Sequence, residues 1–135
     1  MITNFEKLYS NNPKEKKRFE RLQHEFKALY GKKNNTSFFS SPGRSEIGGN
    51  HTDHNHGLVL AAGISLDAIA VASKNDEGII RVKSAGYPMD VVNCNELEPD
   101  ENEFGKSQAI VRGIVARFTQ LGYKVGGFDA TTSSQ

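Results

Sequence analysis

The residues best suited to chemistry lie between Pro42 and Leu60, in a segment rich in polar side chains and glycines. Asp53 offers acceptor oxygens, Arg44 offers a fork of donors, and Asn50 offers both kinds of group. The glycines let the main chain approach a ligand closely. A polyhydroxylated ligand needs this mixture, because each hydroxyl both donates and accepts hydrogen bonds. The segment therefore predicts a carbohydrate-binding loop.

A metal site is the main rival interpretation of the same segment. The segment contains four potential metal ligands close together and superficially resembles the His-x-His-x-Asp-His run of zinc hydrolases; these residues are His51, Asp53, His54 and His56. The order differs, however, and the only other histidine, His24, falls on a predicted helix. Zinc catalysis usually needs three well-placed ligands with a supporting shell. No metal ligand is therefore assigned; a metal-dependent hydrolase and a polar surface loop without a role stay as alternatives.

The order of residues in this segment resembles the galactokinase signature Gly-Arg-x-Asn-Leu-Ile-Gly-Glu-His-Thr-Asp-Tyr-Asn-x-Gly-x-Val-Leu. The match runs without a gap through Gly43, Arg44, Gly49, His51, Thr52, Asp53, Asn55, Gly57, Val59 and Leu60. A looser resemblance covers nearly all of the chain, including a segment at 127–130. The chain is thus identified as an N-terminal fragment within the galactokinase, homoserine kinase and mevalonate kinase superfamily.

The resemblance implies phosphorylation of the anomeric hydroxyl of galactose to galactose 1-phosphate. By position, Arg44 resembles the arginine beside the reacting hydroxyl and is the expected catalytic residue. His51 and Asp53 resemble sugar-hydroxyl ligands, and Asn50 falls where the family has a sugar-binding glutamate. An amide there removes a charge, and charge-assisted hydrogen bonds are roughly twice as strong as neutral ones. The departure leaves the exact sugar open.

The same resemblance implies ATP and Mg²⁺ as cofactors of a full-length parent. The family tends to place aromatic residues for the adenine at the start of the second helix, where this chain has Ser107 and Ile110. The residues that contact the nucleotide are therefore unassigned. In the family the catalytic aspartate, the phosphate loop and the magnesium ligand follow a segment like 127–130, and none of them is present here. We expect an inactive fragment that binds neither cofactor tightly; a galactose-binding regulatory protein without turnover is the alternative.

The elements that must position the motif are predicted by periodicity and breaker residues. Asn12 and Pro13 indicate a helix start, and Gly31 indicates its end. The apolar stripe of this helix is Phe19, Leu22, Phe26 and Leu29. Strands are predicted at 36–40, 58–62, 66–73, 79–84, 89–92 and 126–132, with a loop over 41–57 and a hairpin turn at 75–78. A second helix is predicted over 105–121, with an apolar face and two valines beside it: Ile110, Ile114, Phe118 and Leu121 on the face, and Val111 and Val115 beside them.

This order of elements predicts an α+β fold with a mixed β-sheet packed against helices. The resemblance specifies an incomplete N-terminal domain of a two-domain small-molecule kinase, of the ribosomal-protein-S5-domain-2-like type. Residues 1–135 are assigned to this one domain fragment, with the sugar-binding motif at 42–60 and the C-terminal part of the kinase absent. The fragment is expected to self-associate, because a missing helix would leave apolar sheet surface open.

Composition limits the other partners. The 17 basic and 16 acidic side chains give a formal net charge of +1, which provides no footprint for nucleic acid or an anionic membrane. No apolar run approaches the ~20 residues that span a bilayer. The start of the sequence does not resemble a signal peptide, so a cytoplasmic location is expected. Cys94 is the single cysteine, which excludes a disulfide within the chain.

Overall fold

The computed structural model describes residues 5–49 and 55–135, which form a mixed β-sheet with helices on both faces. The helices are α1 (Phe5–Tyr9), α2 (Pro13–Tyr30) and α3 (Ser107–Gln120). The strands are β1 (Thr36–Gly48), β2 (Leu60–Lys74), β3 (Ile79–Ser84), β4 (Met89–Asn93) and β5 (Phe128–Ser134). The strand order is β1-β2-β5-β3-β4, with β5 antiparallel to β2 and parallel to β3. The predicted α+β class with a mixed sheet is confirmed.

Helix α2 begins and ends where the sequence predicts. The Asn12 side chain accepts a hydrogen bond from the Lys14 amide at 3.0 Å, and Pro13 is the first helical residue. Gly31 has a φ of 73°, and its amide donates to the Lys27 carbonyl at 3.0 Å. These caps satisfy main-chain groups that the helix cannot satisfy internally.

The apolar stripe of α2 covers one face of the sheet. Leu22 and Phe26 are buried against Ile69 and Val71 of β2. The predicted stripe also included Leu29, which is wrong, since 47% of that residue is exposed. Tyr30 takes its place and packs on Phe26, with the ring centroids 5.1 Å apart.

Two predicted boundaries and one predicted pairing are wrong. Residues 41–48, expected in a loop, continue β1, and the two strands predicted at 58–62 and 66–73 are the single strand β2. The turn at 75–78 exists, with Gly78 at a φ of 68°, but it does not close a hairpin. Strand β5, which is distant in sequence, lies between β2 and β3 and pairs with both of them.

Helix α3 packs through the two valines predicted beside its main apolar face, and the prediction that the main face is the buried one is wrong. Val115 is buried against Ile80 and Val92, on the face of the sheet opposite α2, with Val111 beside it. The exposed residues are Ile110, Ile114, Phe118 and Leu121. Both stripes repeat at helical spacing, so periodicity alone could not decide which of them meets the sheet.

None of the helices built from residues 5–49 and 55–135 has the length and apolar character that crossing a lipid bilayer would take.

Two neighbouring substitutions on α3 test which stripe packs. We expect Val115→Ala to lower the free energy of unfolding by about 2 kcal/mol, because it leaves a cavity beside Ile80 and Val92. Ile114→Ala removes one more carbon atom but from an exposed position, so its effect should stay within about 0.5 kcal/mol. Urea denaturation followed by circular dichroism measures both. A larger loss for Ile114→Ala would contradict this packing.

Candidate functional site

The motif lies on a two-stranded ribbon that extends beyond the sheet. Strand β5 pairs with β2 only over residues 68–74, whereas β1 continues to pair with β2 down to Leu60. We call residues 42–48 of β1 and 60–67 of β2 the ribbon. Beyond the two strands, the structure describes Gly49 and residues 55–59, which we call the tip. The sequence segment that was expected to be a loop therefore supplies one strand of the ribbon and its tip.

A close approach of the two strands defines the base of the tip. Gly49 has a φ of 108°, and a Cβ atom there would lie 2.6 Å from the Leu58 carbonyl oxygen and 2.7 Å from the Val59 Cα. Both the backbone conformation and the lack of space require glycine. The main chains on either side of the tip are thus held in contact.

The sequence-predicted site residues fall into two groups. Asn50, His51 and Asp53 lie outside the described residues, so their roles stay predictions. Arg44 is described: it lies exposed on β1, opposite Gly63, directly after a shift in strand register between Pro42 and Arg44. A bulge of this kind changes the direction in which a strand presents its side chains. The structure places Arg44 on one strand of the ribbon.

A buried carboxylate holds the base of the ribbon. Asp67 lies opposite Pro42, is only 7% exposed, and forms an ion pair with Arg18 of α2 at 2.5 Å. Ser40 donates a hydrogen bond to the same carboxylate at 2.7 Å, and Tyr9 of α1 donates another. We call these four residues the Asp67 cluster. It joins both N-terminal helices to the two strands at the point where the motif begins.

The Asp67 cluster keeps the carboxyl group ionised. Burial by itself would raise the pKa of Asp67, but hydrogen bonds from Tyr9, Ser40 and Arg18 and the charge of Arg18 outweigh it and hold the pKa below its usual value. The sequence analysis did not identify this cluster. The available signal was an acidic residue at position 67 within a strand of otherwise apolar and small residues.

A second feature is a cavity of about 830 Å³ at the start of α3. Its polar lining includes Ser84, Lys106, Ser107 and Thr132. The Ser107 hydroxyl donates to Asp90 at 2.9 Å, and the Thr132 hydroxyl donates to that of Ser84 at the same distance. Hydroxyl and ammonium groups around a cavity of this size suit a polar ligand. Ile110, the second residue at the adenine-binding positions of the resemblance, is 67% exposed.

The residues at 5–49 and 55–135 include no group of three histidine, cysteine or acidic side chains placed to hold a metal ion. His56, from the histidine-rich part of the motif, is exposed and has a φ of 59°.

Comparison with known proteins relates the ribbon to one family. The model described as the galactokinase galactose-binding signature matches residues 24–74, from within α2 through β1 and the tip to the end of β2. Galactokinase of Bacillus subtilis is 29% identical over 118 residues, which cover 84% of this chain and 30% of that protein. Galactokinase of Streptomyces coelicolor is 28% identical over 109 residues, covering 81% and 28%. The chain therefore spans about 30% of the length of these curated relatives.

The fold is also similar to that of solved kinase structures. Lactococcus lactis galactokinase complexed with galactose superposes with a TM-score of 0.76 at 24% identity, covering 87% of this chain and 31% of that one. Mevalonate kinase of Methanococcus jannaschii gives a TM-score of 0.57 at 18% identity, covering 76% and 33%. The fold expected from the resemblance is confirmed.

The depressed pKa of Asp67 predicts an acid-dependent loss of stability. A carboxylate with a lowered folded-state pKa stabilises the fold above its unfolded pKa, and this contribution is lost as pH falls through the folded value. We expect Asp67→Asn to lower the free energy of unfolding by about 2 kcal/mol at pH 7, with a smaller difference below about pH 4. Urea denaturation at both pH values measures this.

The control for the Asp67 substitution is Glu25→Gln, which breaks the exposed pair between Arg21 and Glu25 at 3.4 Å. Exposed pairs contribute little, so we expect a change below about 1 kcal/mol at either pH. An Asp67→Asn variant as stable as the wild type at pH 7 would show that the Asp67 cluster does not hold the ribbon.

Adjacent glycines at the tip provide another matched pair. We expect Gly49→Ala to destabilise the chain by about 2 kcal/mol, because its Cβ would overlap the main chain of β2 and its φ is unfavourable. Gly48→Ala meets no atom within 4 Å and should change stability by less than about 0.5 kcal/mol. Thermal unfolding of both variants measures the difference, and equal effects would rule out the close approach at Gly49.

Proposed function

We propose that this chain, a relative of the galactokinases, is the N-terminal, sugar-binding portion of an enzyme that phosphorylates the anomeric hydroxyl of galactose with ATP. The observation that carries the proposal is the match of the galactose-binding signature to residues 24–74. The matched residues include both strands of the ribbon, so the match extends beyond the short motif at 42–60.

The roles proposed for individual residues follow the motif. Asp53 and His51 bind sugar hydroxyls, Asn50 accepts or donates a further hydrogen bond, and Arg44 lies beside the anomeric oxygen. Phosphoryl transfer needs positioning and charge stabilisation more than covalent chemistry by the protein. A guanidinium beside the reacting oxygen would stabilise the negative charge that develops as the hydroxyl loses its proton. The exposed position of Arg44 on the ribbon supports this role.

The phosphate donor in the proposal is ATP, together with Mg²⁺. The segment from Pro42 to Leu60 lacks the Gly-Lys-Ser/Thr ending of a phosphate loop, so no residue of the motif is assigned to the nucleotide. The cavity at the start of α3 has the hydroxyl groups that would suit the polar edge of a nucleobase or ribose. No step of the transfer is assigned to residues of this chain other than Arg44.

The second candidate is galactose binding without turnover. It is favoured for this chain by itself, because the matched family model is a galactose-binding signature whereas the chain covers only about 30% of its curated relatives. Both candidates require sugar binding, and they differ in whether ATP is consumed.

Calorimetric titration with galactose tests the proposal. We expect saturable binding by the wild-type chain and a loss of at least about tenfold in affinity for Asp53→Ala, which removes a charged acceptor. Asp76→Ala, an exposed acid in the turn after β2, is the control and should bind as the wild type does. Glucose in place of galactose tests specificity for the sugar.

The outcomes separate the candidates. Unchanged affinity in Asp53→Ala would refute the role assigned to that residue, and no galactose binding by the wild type would refute the sugar site in this chain. Galactose-dependent ATP consumption by the purified chain would show that it is catalytically complete, contrary to our expectation.

A further inference from the structure

The two edges of the sheet differ in how they are protected. Strand β4 forms one edge and is short. Helix α3 covers its polar groups, since Gln108 donates a hydrogen bond to the Val91 carbonyl at 2.5 Å and Ser107 donates to Asp90. Charge, shortness and side-chain caps are the means by which proteins prevent edge strands from pairing with other chains.

Strand β1 forms the other edge, and over residues 36–41 it lacks these protections; a proline, Pro42, and a shift in strand register follow only at the end of that segment. Its residues from Ser37 to Pro42 are all exposed, and the sequence from Asn34 to Gly43 contains no charged side chain. Among the described residues, β1 pairs only with β2, and residues 36–41 make no other main-chain hydrogen bond. Half of the hydrogen-bonding groups of this segment therefore point away from the sheet.

The side chains of this segment divide between the two faces. Phe38 lies on the α2 face, where its ring packs edge-on against that of Phe19 with the ring centroids 5.8 Å apart. Phe39 lies on the other face, opposite Ala70, and 55% of it is exposed. Ser37 and Ser41 flank Phe39 on that same face, since side chains alternate along a strand.

We propose that residues 36–42 of β1 pair with the same residues of a second copy, forming an antiparallel dimer with one continuous sheet. A two-fold axis perpendicular to the sheet requires that opposed residues lie on the same face. An axis through Phe39 meets this condition and places Phe39 opposite Phe39 of the second copy. It also places Ser37 opposite Ser41 and brings no like charges together.

The second copy is the occupant that the segment fits best. An uncharged strand presents to itself a complementary row of donors and acceptors, and aromatic pairs across an antiparallel ladder add stabilisation. Helix α3 has an exposed apolar stripe as well, but its charged residues, Arg112 and Arg117, are both positive. Two copies of α3 would therefore offer no charge complementarity.

Sedimentation equilibrium of the 135-residue chain at about 5 to 500 µM tests the dimer over the range of weak affinities. We expect a monomer–dimer equilibrium in the wild type. Ser37→Lys combined with Ser41→Lys places lysines opposite lysines and should raise the dimer dissociation constant at least about tenfold. Ser37→Glu combined with Ser41→Lys places opposite charges together and should retain the dimer.

Controls locate the surface. Val91→Lys on β4 and Ile114→Lys on α3 both add a charge at an exposed apolar residue outside β1, and both should remain dimeric. Hydrogen exchange should show protection that increases with protein concentration for those amides of residues 36–41 that point away from β2. A wild type that is monomeric at the highest concentration, a double-lysine variant that still dimerises, or loss of the dimer in Ile114→Lys would each overturn the proposal.

Discussion

The ion pair between Asp67 and Arg18 fixes the point at which the ribbon leaves the sheet, and the rest of the structure depends on this point. Asp67 is the ribbon residue next to Ala68, where the pairing of β2 with β5 begins, so the ribbon leaves the sheet at this point. The side chain of Arg18 also donates to the Asp67 carbonyl at 2.8 Å, and the Gln135 amide donates to that carbonyl at 3.2 Å. A buried charge is costly unless it is paired and hydrogen-bonded. Both helices at the start of the chain therefore have to be in place before the ribbon has a fixed base.

Local chemistry explains what the sequence predicted well. The caps of α2 at Asn12 and Gly31 depend on residues within one helical turn, so they could be identified from their order alone. The hairpin expected between β2 and β3 was wrong because its turn residues carry no information about β5, which begins only at Phe128. The packed stripe of α3 was wrong for a related reason: the choice between two helical stripes is made by the sheet surface that each could cover.

In the candidate site too, local residue order was predictive and the pairing with a distant strand was not. The motif at 42–60 was identified from residue types and order, and the family match over 24–74 supports the resemblance. The strand pairing that carries Arg44 could not be predicted, because a polar segment with several glycines has the composition of a loop. Its partner strand supplies the regular structure that composition does not indicate. The contributions of Asn50, His51 and Asp53 remain predictions from the motif.

The central position of β5 has a consequence for how the chain acquires its structure during synthesis. Strands β1 and β2 form one local unit and β3 and β4 form another, and these units have no strand pairing with each other until β5 is inserted between them. Sheet assembly must therefore wait for residue 134 to leave the ribosome. Such non-local pairing slows folding and prolongs the exposure of unpaired strands to other nascent chains. Chaperone demand should accordingly be highest in the period before residue 134 has emerged.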